Sequence, residues 1–140
     1  MTELERCIQK GSLKRFADVG QDAVGHEIRA AREDLHDAEF VFANNMSKRT
    51  TITAYYAMFH AARALVLAKG YAEKSHYCLL VAFRAFYGED GEGRELAQGI
   101  EQARLLRENA DYLTQFSPES AEAMLAVAKR FVTFAENLLG

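Results

Sequence analysis

Residues 54–67 read AYYAMFHAARALVL, an apolar run whose only strongly polar members are His60 and Arg63. Carried by the helix formers Ala, Met and Leu and apolar nearly all round, it predicts a helix enclosed by other helices, not one lying on a surface. A guanidinium and an imidazole inside such a helix need partners, because burying either without hydrogen bonds costs several kcal/mol. At spacings of four and three, Tyr56, His60 and Arg63 share one helical face, and whatever faces them must be polar too.

Working outward, Ile28, Ala31, Leu35, Ala38 and Phe42 alternate at three and four residues and predict an amphipathic helix from Glu27 to about Asn44. Ser47 or Thr50 is expected to cap the central helix, which Gly70 then closes after Lys69. Ser75 opens a short helix over about His76–Tyr87, and GEDGEG at 88–93 is a turn by composition. A further helix, about Glu92–Gln115, carries the stripe Leu96, Ile100, Ala103, Leu106, Ala110 and Leu113, with Gly99 either a weak point or a place of close helix approach. Ser117, Pro118 and Glu119 start the last helix, with Ala121, Met124, Leu125, Ala128, Phe131, Val132, Ala135 and Leu138 on its apolar side. Short connections favour antiparallel neighbours, so the expected fold is all-α, an up-and-down bundle of four main helices plus a short one. It occupies 26–140, preceded by an arm over 1–25 that Gly11, Gly20 and Gly25 keep from forming a long helix, with a turn or two of helix around Leu4–Lys10.

The 140 residues suffice for one core, and the 49% hydrophobic fraction with a single proline suits a helical globule. A net charge of −3 excludes a general attraction to nucleic acid or acidic membrane, so any RNA contact must be local. Cys7 and Cys78 lack a CxxC neighbour and read as two incidental thiols. The charged first residues are no signal peptide and no apolar stretch spans a membrane, which predicts a soluble cytoplasmic protein.

Two Glu-x-x-His spacings, Glu33–His36 and Glu73–His76, have the form used by di-iron bundles. The first lies off the apolar stripe and the second straddles a helix start, so neither converges inward; no metal or other cofactor is expected. Arg29, Arg32 and His36 share a face that could in principle cleave a phosphodiester, but REDLHDAE is a mixed-charge, solvated segment. Tyr56, His60 and Arg63 remain, either as a polar network stitching helices together or as a site. Arg107 and Asp111, four apart beside the apolar stripe of the fourth main segment, could meet them and bring Tyr112, and such a junction of basic groups and tyrosines could hold a phosphate. In that arrangement Arg63 or Arg107 pairs with Asp111 or a bound anion.

The segments YYAMFHAAR, EKSHYC and RENADY, followed by FSPESAE, resemble in combination the HEPN domain family (higher eukaryotes and prokaryotes nucleotide-binding) of prokaryotes, over about Glu27–Leu139. The resemblance implies a helical bundle, usually homodimeric, often paired with a small nucleotidyltransferase, and acting as a toxin–antitoxin component, an RNA-cleaving toxin or a nucleotide-binding accessory protein. Catalytic relatives carry an arginine and a histidine separated by four to six intervening residues. The matching arginine here is Arg107, and the corresponding positions hold Tyr112, Leu113 and Thr114. A tyrosine, with an ordinary pKa near ~10, is a poor general base at neutral pH. The resemblance therefore implies nucleotide or RNA binding through Arg107 in place of ribonuclease activity. The alternatives are a metal-independent endoribonuclease that uses His60 or His76, and a non-catalytic dimeric interaction module.

Overall fold

The structure, a computed structural model, describes residues 1–16, 18, 20–112 and 116–140, with 109–112 described by their backbone alone. Along them run α1 (Glu3–Gln9), β1 (Leu13–Arg15), α2 (Gln21–Ala43), α3 (Ser47–Ala68), β2 (Tyr71–Glu73), α4 (His76–Tyr87), α5 (Gly91–Tyr112) and α6 (Pro118–Leu139).

The protein is an all-α bundle with α3 at its centre. Ala54, Ala57, Ala61, Ala62 and Ala64 are fully buried, and these small side chains let α2, α4, α5 and α6 all pack against α3. The three residues between α2 and α3 force the two helices to run antiparallel, and Asn45 turns the chain with φ 61°. Buried Thr50 and Thr51 return their hydroxyls to the carbonyls of Met46 and Ser47, both at 2.9 Å. The expected cap at Ser47 or Thr50 is therefore replaced: Met46 holds the cap position without a side-chain hydrogen bond. Helix α5 starts at Gly91, within the turn expected over 88–93, and its expected end at Gln115 lies outside the described residues, whereas three other boundaries follow the sequence reading. Ser75 accepts from the Cys78 amide, Ser117 accepts from the Ser120 amide, and Gly70 closes α3 at φ 90°.

The N-terminal segment differs from expectation in three ways. Helix α2 starts at Gln21, ahead of Glu27, and runs through Gly25. Residues 13–15 form β1, antiparallel to β2, with Leu13 opposite Glu73 and fully buried. Cys7 and Cys78 are joined by a disulfide, so they are not the incidental thiols their spacing suggested. Nothing in a separation of 71 residues indicates that α1 lies on α4; only the tertiary arrangement brings the sulfurs together.

Side chains of α4 turn inward more than a short aromatic helix need do. Phe83 packs on Phe131 at 4.8 Å, Phe86 on Tyr71 at 5.2 Å, and the Tyr87 hydroxyl donates to the Leu65 carbonyl at 2.9 Å. On α6, Leu138 is exposed, unlike the rest of its expected stripe. Among the described residues no helix is long and apolar enough to cross a membrane.

A candidate anion site beside a buried polar network

Both polar residues of α3 have partners, and these are carboxylates. His60 Nδ1 donates to Glu27 at 2.6 Å, and its Nε2 faces Asp34 at 3.6 Å. Arg63 donates through Nε and Nη2 to one Glu73 oxygen at 2.9 and 2.5 Å, and its Nη1 reaches Glu27 at 3.4 Å. The Glu73 side chain is only 4% exposed, so Arg63 is what keeps its charge tolerable. Burial pushes the Glu27 carboxyl up, but the hydrogen bond from His60 and the charge of Arg63 outweigh it and hold it below the usual range. Asp34, also pushed up by burial and less well compensated, lies above its usual range.

Three carboxylates thus surround one guanidinium and one imidazole. An anion approaching His60 or Arg63 meets an acidic shell, and the partners of Arg63 among the described side chains are Glu27 and Glu73.

Arg107 has different surroundings. Its guanidinium lies over the rings of Tyr55 and Tyr56, 5.8 and 5.4 Å from their centroids, an arrangement that attracts a cation to a π-face without neutralising it. The two tyrosines meet edge to face at 5.3 Å and continue into Phe59 and His76, whose rings are 4.4 Å apart. Arg63 closes the far end over Phe59 at 4.6 Å. The result is an aromatic wall between two arginines, with Tyr56 and Arg107 at its half-exposed edge.

Tyr55 ties His76 into this wall, its hydroxyl 3.0 Å from Nδ1. Burial raises the phenol to about 12 and, with the charges of Arg107 and Arg63, lowers the imidazole. At neutral pH the phenol is therefore protonated and the ring uncharged; the phenol donates to Nδ1 and the ring proton sits on Nε2. The sequence offers His76 only as an alternative and gives Tyr55 no role. Its place directly before Tyr56, on the inward side of the decisive run, was the available signal.

The remaining candidates separate. Tyr56 and Arg107 come together, His60 and Arg63 belong to the adjoining acidic network, and the side chains of Asp111 and Tyr112 lie outside the described residues. His36 is exposed, Arg32 pairs with Glu136, and Arg29 lines a half-open cavity of about 560 Å³ between α2 and α6, away from this wall. Glu73 is engaged by Arg63 and His76 by Tyr55, so that Glu-x-x-His pair does not act as a unit.

With this geometry in place, comparison with known proteins is decisive for the family. The HEPN domain model matches residues 26–138. The chain belongs to the HEPN domain family. A protein of Methanocaldococcus jannaschii named "Putative toxin MJ0605" is 34% identical over 107 residues, covering 75% of this chain and 80% of that protein. A UPF0332 protein of Archaeoglobus fulgidus is 33% identical over 118 residues, covering 83% of this chain and 94% of its own length. Another, from Thermotoga maritima, is 31% identical over 114 residues, with 79% and 86% covered. In this HEPN chain the arginine of the RENADY segment, Arg107, is the one stacked on the tyrosines of the YYAMFHAAR segment.

Proposed function

We propose that this HEPN protein binds the phosphate of a nucleotide or of RNA at Arg107, with Tyr56 offering a face for a base, and works with a nucleotidyltransferase partner in a toxin–antitoxin-like pair. The observation that carries the reading is the Arg107 guanidinium held over Tyr55 and Tyr56 at a half-exposed edge, oriented by rings that leave its charge available to a phosphate. Asp111 and Tyr112 complete the proposed site, and His60 and Arg63 support it from the adjoining network. The relative named as a toxin supports the biological setting.

Calorimetric titration with ATP, AMP and a short single-stranded RNA tests it. Binding by the wild type is expected to weaken on the order of tenfold or more in Arg107→Ala, as loss of a charge-assisted phosphate contact requires. Absence of binding by all three ligands, or binding indifferent to Arg107→Ala, overturns the reading and leaves an interaction module.

One observation favours RNA cleavage as a second reading. Tyr55, the ring beneath Arg107, is hydrogen-bonded to His76, so α4 brings toward the arginine of α5 the histidine that the RENADY segment lacks. We expect little or no cleavage in EDTA. Robust cleavage abolished by both Arg107→Ala and His76→Ala would establish this second reading.

A further inference from the structure

The segment before residue 26 lies outside the family match, yet it is tied to the bundle at four places. Cys7 of α1 is bonded to Cys78 of α4, and both are essentially without solvent exposure. Glu3 accepts from Tyr77 and, at 2.9 Å, from Arg84. Strand β1 pairs with β2, and the Lys74 amide donates to the Ser12 carbonyl at 2.8 Å. The Phe16 amide donates to the Gly70 carbonyl, also at 2.8 Å.

Two short routes lead from the disulfide to the aromatic wall. On one side the Ser12 amide donates to the Cys7 carbonyl, so α1 passes directly into β1; β1 then holds β2, and β2 presents Glu73 to Arg63. On the other, the Cys78 amide is capped by Ser75 in the first turn of α4, the turn that carries His76. The covalent bond therefore clamps both segments that place Glu73 and His76.

We propose that the Cys7–Cys78 disulfide is a thiol-operated latch: oxidised, it locks the N-terminal arm onto β2 and the start of α4; reduced, it releases the arm and loosens both. The chemistry is exchange with a low-molecular-weight thiol and its disulfide. A Cys7 thiolate attacks the small disulfide and expels one thiol. The Cys78 thiolate then attacks the Cys7 sulfur of the mixed disulfide and expels the second, so that two protein thiols and one small disulfide become one protein disulfide and two small thiols. Reduction runs the same steps backward. Because both sulfurs are covered by α1 lying on α4, exchange proceeds through opening of the arm, and the state of the latch reports on that opening. The latch does not depend on what binds at Arg107.

The test compares wild type equilibrated with glutathione disulfide against wild type reduced with a phosphine. Thiols are counted under denaturing conditions, and amide exchange is followed by mass spectrometry. The oxidised form is expected to have no free thiols and to exchange on the order of tenfold more slowly at 3–15 and 71–78 than the reduced form, with α6 unchanged. Cys7→Ser should exchange like the reduced wild type; if that variant fails to fold, the reduced wild type carries the comparison alone. Two titratable thiols persisting after glutathione disulfide treatment, or a bond that forms without changing exchange in either segment, overturns the proposal.

Discussion

Glu73 depends on Arg63 more than on any other residue, being nearly buried and bonded by two of its nitrogens. Replacing Arg63 by Ala leaves that carboxylate without its counter-charge and should cost roughly 2–4 kcal/mol, read as a lowered midpoint in urea. The double variant Arg63→Ala/Glu73→Gln should recover part of the loss, since the orphaned charge is then gone. The same neighbourhood sets a pH dependence. His76 is held neutral below its ordinary value of 6.5, so its contribution is complete above 6.5 and erodes as the pH falls toward its lowered folded value. Glu27, held below 4.5, adds a second loss as the pH falls through and beneath that value, while Asp34, raised above 3.8, opposes it by losing stability as the pH rises through its own window. Thermal melts should therefore begin to fall as the pH drops below 6.5 in the wild type. His76→Gln should flatten that first step, and an unchanged slope would show that His76 does not set it. That His60 and Arg63 need polar partners was legible from the apolar run around them. Which partners was not, because Glu27 lies 33 residues from His60 in sequence and Glu73 comes from a strand that no periodicity announces.

Two helix glycines make opposite predictions. A Cβ at Gly99 of α5 would stand 2.7 Å from Val127 Cγ1 of α6, so Gly99→Ala must push these helices apart or displace the valine. Overpacking of that kind costs about 1–3 kcal/mol, enough to exceed the ~1 kcal/mol that alanine gains in helix propensity. Val127→Ala in the same molecule should relieve it, which denaturant melts of the three proteins can show. At Gly25 of α2 the nearest contact would be Arg29 Nη1 at 3.5 Å, an ordinary separation, and Gly25→Ala should stabilise by roughly 0.5–1 kcal/mol. The close approach at Gly99 is one of two readings open from sequence; Gly25 misleads, because helix propensity alone places a break where α2 runs through. Long helices with caps and stripes, such as α6, were readable because each signal is local. Strands β1 and β2 have three residues each and owe their existence to one another, and the arm to a disulfide, so no window of sequence contains the cause.

At the scale of the molecule, most aromatics of α4 are spent inside the fold, so surface left over from that helix is a poor reason to expect self-association. Phe40 of α2 and Leu105 of α5 remain exposed, and with the family's habit they keep a homodimer the expected state. Light scattering should give twice the 15.7 kDa chain mass, and Phe40→Lys with Leu105→Lys should shift it toward the monomer. A wild-type species near 15.7 kDa alone would refute the dimer. The central position of α3 has a consequence for biosynthesis. Its sides are covered by α2, which is made before it, and by α4, α5 and α6, which are made after. Once α3 has cleared the exit tunnel, and until α4, α5 and α6 have followed it, this central helix has only one long neighbour to shelter it. The nascent chain is then a natural client for a holding chaperone, and the core closes only after α6 has been released.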